Sequence, residues 1–236
     1  MLEEFERMCI LDYIQENLVN GELPRDFNLP SEWTKNSLPY ADGAKDGIAV
    51  YHTYPSEIAE ESLPFLDEML HAVSTEDYSI ALDSLSKFAE KNSPIYVFRD
   101  FQEYIVNQDW LEPEKLFDFT LGCLLNNDID IIKYGLLITA LFPNPRAVAK
   151  KVIMTLGLCN EFTLYAIFNI LHWSNANDII FMLAQKVHGW GRIHAVRYLQ
   201  PENDEIKKWL LEEGIHNDIL PEYTEEEVHR KFMDES

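Results

Sequence analysis

Apolar side chains recur at spacings of three and four residues along nearly the whole chain, whereas strict apolar–polar alternation with β-branched residues is missing. Helix is therefore predicted throughout, and strand content is predicted to be negligible. From residue 113 onward, asparagines stand where helices should begin. Asn127 precedes DIDIIKYGLLITALF, Asn144 precedes PRAVAKKVIMTL and Asn160 precedes EFTLYAIFNILHW. Asn175 or Asn177 precedes DIIFMLAQKVHG, and Asn203 precedes DEIKKWLLEEG. An asparagine side chain accepts a free N–H of the first helical turn, and Pro145 and several first-turn acids strengthen the same reading. The first four caps lie 17, 16 and 15 to 17 residues apart. Helices that short, joined by two or three residues, must run antiparallel, and two of them make a unit of about 32 residues.

Several of these helices are apolar nearly all round. Ile129, Ile132, Leu136 and Ala140 form one stripe, and Ile131, Ile138 and Leu141 continue on the other side. Such a helix must be covered on several sides, as in the inner layer of a stacked array. The Asn/Asp turn followed by DIDIIKYGLLITAL resembles the second-helix opening of the HEAT and armadillo class of α-helical repeats, over roughly residues 113–213. The resemblance implies a right-handed α-α superhelix of stacked helix pairs, with Asp130 and Lys133 stabilising a turn between repeats and second helices lining a concave face.

Upstream, TEDYSIALDSLSKFAEKN and PIYVFRDFQEYIVNQ read as a further pair, capped by Thr75 and by Ser93 with Pro94 at the first helical position. Residues 56–73 hold another helix, kinked at Pro64 or restarted there after a Ser62 cap. A first helix spans about residues 2–19, with Leu2, Phe5, Cys9, Tyr13 and Ile14 on one face. An irregular connection containing Pro24, Pro30 and Pro39 follows it to residue 43. The expected organisation is a single all-helical domain over 1–236, in which 1–55 is divergent and 56–236 is stacked helix pairs.

Composition narrows the partners. At 236 residues and 47% hydrophobic, the chain can bury a core without staples. Cys9, Cys123 and Cys159 stand far apart within apolar patterns and read as buried and reduced. The net charge of −22 sits at the two ends, with −13 over residues 1–100, −1 over 101–200 and −8 over 201–236. That distribution speaks against nucleic acid and anionic membranes, which need clustered Lys and Arg, and favours a protein with a basic surface. Solubility alone also accounts for it. Apolar runs break well short of the roughly 20 residues that cross a bilayer, and MLEEFERMCI lacks a basic-then-apolar leader, so a cytoplasmic location is expected.

Candidate chemistry is sparse. Glu68-x-x-His71 and Glu226-x-x-His229 have the spacing of di-iron helix ligands, but composition alone yields about one such pair. The segment Asp42-Gly43-Ala44-Lys45-Asp46-Gly47 has the start of a calcium loop, yet Ala44 and Thr53 occupy positions that need carboxylates. No metal or cofactor is expected. In VHGWGRIHAVRYLQ, Gly189 reads as the left-handed residue after a helix, with Trp190 folding back against that helix. Arg192, His194, Arg197 and Tyr198, together with Trp190 and with His172 or Trp173 of the preceding unit, would form a cationic–aromatic recess. Alternatively, both arginines pair with acids of adjacent repeats. The sequence thus points to a non-enzymatic protein-interaction module, with an inhibitor or immunity-type role against a basic partner as its specific form. The alternative is a small-molecule binder or enzyme that uses the recess. Oligomeric state is not encoded in any of these signals.

Overall fold

The computed structural model describes residues 8–34 and 40–233. Among these residues there are 14 α-helices and no strand, the one extended pairing being an isolated bridge between Val19 and Glu22. Three short or medium helices come first: α1 (Ile10–Glu16), α2 (Ser31–Thr34) and α3 (Ala44–His52). A longer series follows: α4 (Leu63–Ser74), α5 (Tyr78–Ala89), α6 (Pro94–Val106), α7 (Pro113–Leu124), α8 (Ile129–Thr139), α9 (Ala147–Gly157), α10 (Thr163–Ile170), α11 (Ala176–Lys186) and α12 (Gly189–Tyr198). The chain ends in α13 (Asp204–Trp209), a π-helical turn (Leu210–Gly214) and α14 (Pro221–Met233).

Neighbours in sequence pack together as α4 on α5, α7 on α8, α9 on α10 and α11 on α12. The second member of each of the last three pairs also touches the next, so α8, α10 and α12 are in successive contact, and α14 packs on α12. The all-round apolar pattern of α8 is explained by its position, since every residue from Ile131 to Ala140 is buried. It is covered by α5, α6, α7 and α10. Polar side chains stitch these covers to it. Gln102 Nε2 donates to the Leu137 carbonyl at 2.8 Å, Asn169 Nδ2 to the Leu136 carbonyl at 2.9 Å, and Tyr134 Oη to the Asn92 carbonyl at 2.8 Å. Buried apolar side chains from Ile10 to Val228 form one contiguous core.

Helix starts differ in detail from the asparagine rhythm. Asn203 caps α13 as expected, accepting the Ile206 amide. At α8 the cap is Asp128, which accepts from the Asp130 and Ile131 amides, because a carboxylate complements the positive helix start better than an amide does. Asn127 is thereby released to accept the Ile10 amide at 3.1 Å and fix α1. Helix α9 starts only after Arg146, so Asn144 and Pro145 precede it, and Asp77 rather than Thr75 caps α5. Asn175 occupies the N-cap position of α11, while Asn177 exchanges two hydrogen bonds with the Gln200 backbone. Ser62 and Ser93 precede α4 and α6 with Pro in the first turn, so the chain restarts at Pro64.

The N-terminal part departs furthest from the expectation. Leu2, Phe5 and Pro39 lie outside the described residues, and the first described helix is confined to Ile10–Glu16, with Ile14 buried and Tyr13 half-buried. The connection beyond it contains α2, and the Asp-Gly segment opens α3, a helix that the pattern does not predict. Of the N-terminal helices, α1 packs against α9 and α3 against α6 and α12. At the other end, α14 buries Thr224, Glu227 and Val228, so the chain closes in a packed helix rather than a frayed tail.

Candidate functional site

Three polar assemblies form where residues 8–52 meet the helix series. The first is built on Lys133 of α8, whose side chain is 3% exposed. It lies 2.6 Å from Asp46 Oδ2 on α3 and 2.5 Å from Glu161 Oε1 at the entrance to α10. Glu161 also accepts the Gly43 amide at 2.6 Å, so it joins α3 to α8 through one carboxylate. Burial disfavours the charged ammonium, but Asp46, Glu161 and Asp130 outweigh that cost and hold the Lys133 pKa above its usual value. Beside it, burial pushes the Asp42 carboxyl up to about 7, with Glu161 adding repulsion and the Leu29 amide at 2.8 Å opposing. Asp42, Asp46, Asp130 and Lys133 line a cavity of about 180 Å³.

The chemistry of this assembly is restrained. A lysine held protonated is no nucleophile at neutral pH, and burial drives the thiols of Cys123 and Cys159 well up, keeping them in their unreactive form. All three cysteines are free, and Cys9 is only partly buried. Lys133 thus reaches across to α3 rather than closing a turn with Asp130. The repeat resemblance singled out Lys133 with Asp130, whereas nothing in the sequence identified Asp46 and Glu161 as its partners.

The second assembly seats Trp190. Its indole packs in a small cluster with Ala44 and Ile193, bordered by Tyr51, Leu220 and Tyr223. The ring rests on α3 at Gly47, where a Cβ would come within 2.0 Å of Cε3, and a Cβ on Gly43 (φ +78°) would come within 2.5 Å of the Asn160 carbonyl oxygen. Gly189 has the expected positive φ of +48°, but it opens α12, and Val187 ends α11. Trp190 therefore folds against α3 and α14 instead of its own preceding helix. Asn160, expected to cap α10, packs its side chain against Gly191 instead. Next to the indole, Arg197 pairs with Glu227 at 3.1 Å and lies over the Tyr51 ring, whose hydroxyl donates to Glu227 at 2.8 Å. Of the two arginines expected to pair with acids, Arg197 does so, with Glu227. His194 is 1% exposed with neither ring nitrogen hydrogen-bonded, and burial lowers its pKa to about 3, with Arg197 adding to the effect.

The seven residues expected to form one recess are thus distributed. Trp190, His194 and Arg197 are neighbours within this packed seat. Tyr198 packs edge-on against Phe168, Trp173 is buried under Lys150, and His172 is exposed. Arg192 goes elsewhere: its guanidinium stacks 5.1 Å from the Trp209 ring and donates to the Glu213 carbonyl at 2.6 Å.

That places Arg192 in the third assembly, a groove of about 760 Å³ between the Val19–Arg25 turn and helices α11, α12 and α13. Asn20 (φ +55°) and Gly21 (φ +83°) form the tight turn that positions Glu22 and Arg25. His188 lies here too, its pKa lowered by burial and by Arg25 and Arg192. An arginine, a histidine and a tryptophan do meet, but the tryptophan is Trp209 and the histidine His188. Neither could be chosen from sequence, because the turn that completes the groove comes from more than 150 residues upstream.

The Glu-x-x-His pairs do not converge. Glu68 accepts from Ser84, His71 stacks on Trp110, and Glu226 pairs with Arg230. Among the described residues, no three His, Cys, Asp or Glu side chains are grouped to hold a metal ion, and no helix is long and apolar enough to cross a membrane. No protein-family model matches the chain, nor does any curated protein or solved structure.

Proposed function

We propose that the chain is a non-enzymatic protein-interaction module, a HEAT-like superhelix of stacked helix pairs whose acidic ends engage a partner with a basic surface. The observation that carries this reading is the distribution of charge after internal pairing. Lys133 and Arg197 are spent inside the fold, and Arg25, Lys115, Arg146 and Arg230 are each held by carboxylates of the chain itself. Exposed acids crowd α4 to α7 at one end of the series and α13 to α14 at the other. Such a surface steers basic proteins toward it and repels phosphate backbones. The unreactive thiols and the protonated Lys133 agree with a binding role.

Helix α3 packs on α12 and reaches α8 through the Asp46–Lys133 pair, and the partner is proposed to engage the acidic ends. An inhibitor that covers a basic toxin or nuclease is the specific form that this charge favours. The test is capture of binding proteins followed by affinity measurement against ionic strength. A basic partner whose affinity falls by at least about tenfold from about 50 to about 200 mM salt is expected. A partner that is acidic, or bound independently of salt, overturns the reading. The alternative of a small-molecule binder draws on the size of the groove at Arg192, and a ligand retained in native mass spectrometry of the purified protein would favour it.

A further inference from the structure

We infer that the groove between the Val19–Arg25 turn and α13 is where the partner inserts an arginine- or lysine-bearing segment. This deepens the reading above and rests on it. At about 760 Å³ the groove falls within the size range of ligand sites, roughly 300–1,000 Å³. Its charges fall into two groups. The cations already have partners: Arg25 donates to both Asp218 carboxylate oxygens at 3.0 Å, Arg192 is held by the Glu213 carbonyl and the Trp209 face, and Lys208 stands 3.9 Å from Glu212. The carboxylates of Glu22, Glu205 and Glu213 are exposed, line the same groove, and take part in none of the hydrogen bonds or ion pairs described. What the groove offers to an incoming group is therefore negative charge on both walls.

Its apolar parts suit the same occupant. Pro24 stands on one wall, and Trp209 and Phe181, packed edge to face at 5.4 Å, stand on the other. A long cationic side chain lays its methylenes along such surface while its head reaches carboxylates. Asp218 holds Arg25, and the Glu213 carbonyl with the Trp209 face holds Arg192, so the carboxylates of Glu22 and Glu205 are left to an incoming cation, while that of Glu213 is shared with Arg192. The groove is also walled by the two chain regions that carry most of the net charge, so a basic protein drawn to either region is led to it.

The test uses the full chain and, as probe, a fluorescent octapeptide of alternating arginine and glycine. Two triple variants of equal charge are compared: Glu22→Lys/Glu205→Lys/Glu213→Lys in the groove, and Glu57→Lys/Glu60→Lys/Glu61→Lys on exposed positions before α4. The groove triple is expected to weaken probe binding at least about tenfold, and the distant triple no more than about twofold. The milder Glu→Gln groove triple should lie between them, which guards against a folding defect in the charge reversal. Equal losses in both triples overturn the groove and leave the acidic-surface reading standing. A probe that does not bind the unaltered chain overturns both.

Discussion

The Trp190 indole lies directly on the backbone of Gly47: a Cβ there would stand 2.0 Å from Cε3 and 2.4 Å from Cζ3. Two glycine-rich segments that look unrelated in sequence, DGAKDG and HGWG, are therefore the two halves of one contact. Gly47→Ala should force the ring out of its seat and lower stability by about 1–3 kcal/mol, with Trp190 emission shifting to the red. Gly122 is the control, since a Cβ on it meets nothing within 4 Å. Gly122→Ala, within α7, should instead stabilise by about 0.5–1 kcal/mol. Chemical denaturation of the two variants checks both signs.

Helix content and the burial of α8 were readable because both follow from local periodicity. The seat of Trp190 was not. It joins residues 43–51 to 190–223, and periodicity carries no information about which distant backbone a ring will meet. The asparagine rhythm identified the helix series, but it misassigned Asn127 and Asn160, because a neighbouring Asp128 caps better and a glycine at 191 makes room for Asn160. Arg192 was identified as a candidate binding residue, while its partners, the Trp209 ring and the Glu213 carbonyl, lie on elements whose approach no local pattern records.

Removing the Lys133 ammonium leaves the Asp46 and Glu161 carboxylates facing each other out of water. Lys133→Met should therefore cost about 3–5 kcal/mol. Neutralising the acids as well, in Lys133→Met/Asp46→Asn/Glu161→Gln, should recover most of that loss. If the triple variant unfolds at the same denaturant concentration as the single one, the cluster's cost lies elsewhere than in unpaired charge.

Asp42 gives the fold a defined response to pH. Its folded pKa of about 7 lies above the ordinary value of 3.8, so the folded state holds this proton more tightly. The associated stability is full below about pH 4 and is lost as pH rises toward 7, on the order of 4 kcal/mol in total. Asp42→Asn should flatten this part of the profile and make the protein more stable than its parent at pH 8. Denaturation midpoints at pH 5 and pH 8 measure the difference.

His194 acts in the opposite direction. Its folded pKa of about 3 lies below the ordinary value of 6.5, so its contribution is full above pH 6.5 and is lost as pH falls toward 3. Because neither ring nitrogen has a partner, an apolar side chain of similar size should fit better. His194→Leu is expected to gain about 1 kcal/mol at pH 7 and to shift acid unfolding to lower pH. A variant less stable than its parent at neutral pH would show that the ring contributes more by its shape than it loses by its bare nitrogens.

The hydrogen bond from Tyr51 to Glu227 joins the beginning of the described chain to its end. During synthesis, α1 and α3 leave the ribosome long before α14 exists, so the seat of Tyr51 is incomplete until α14 has been made. The Tyr51–Glu227 contact must therefore form later than the pairing of neighbouring helices earlier in the chain. Any truncation that removes α14 strands the amino-terminal segment without its last anchor.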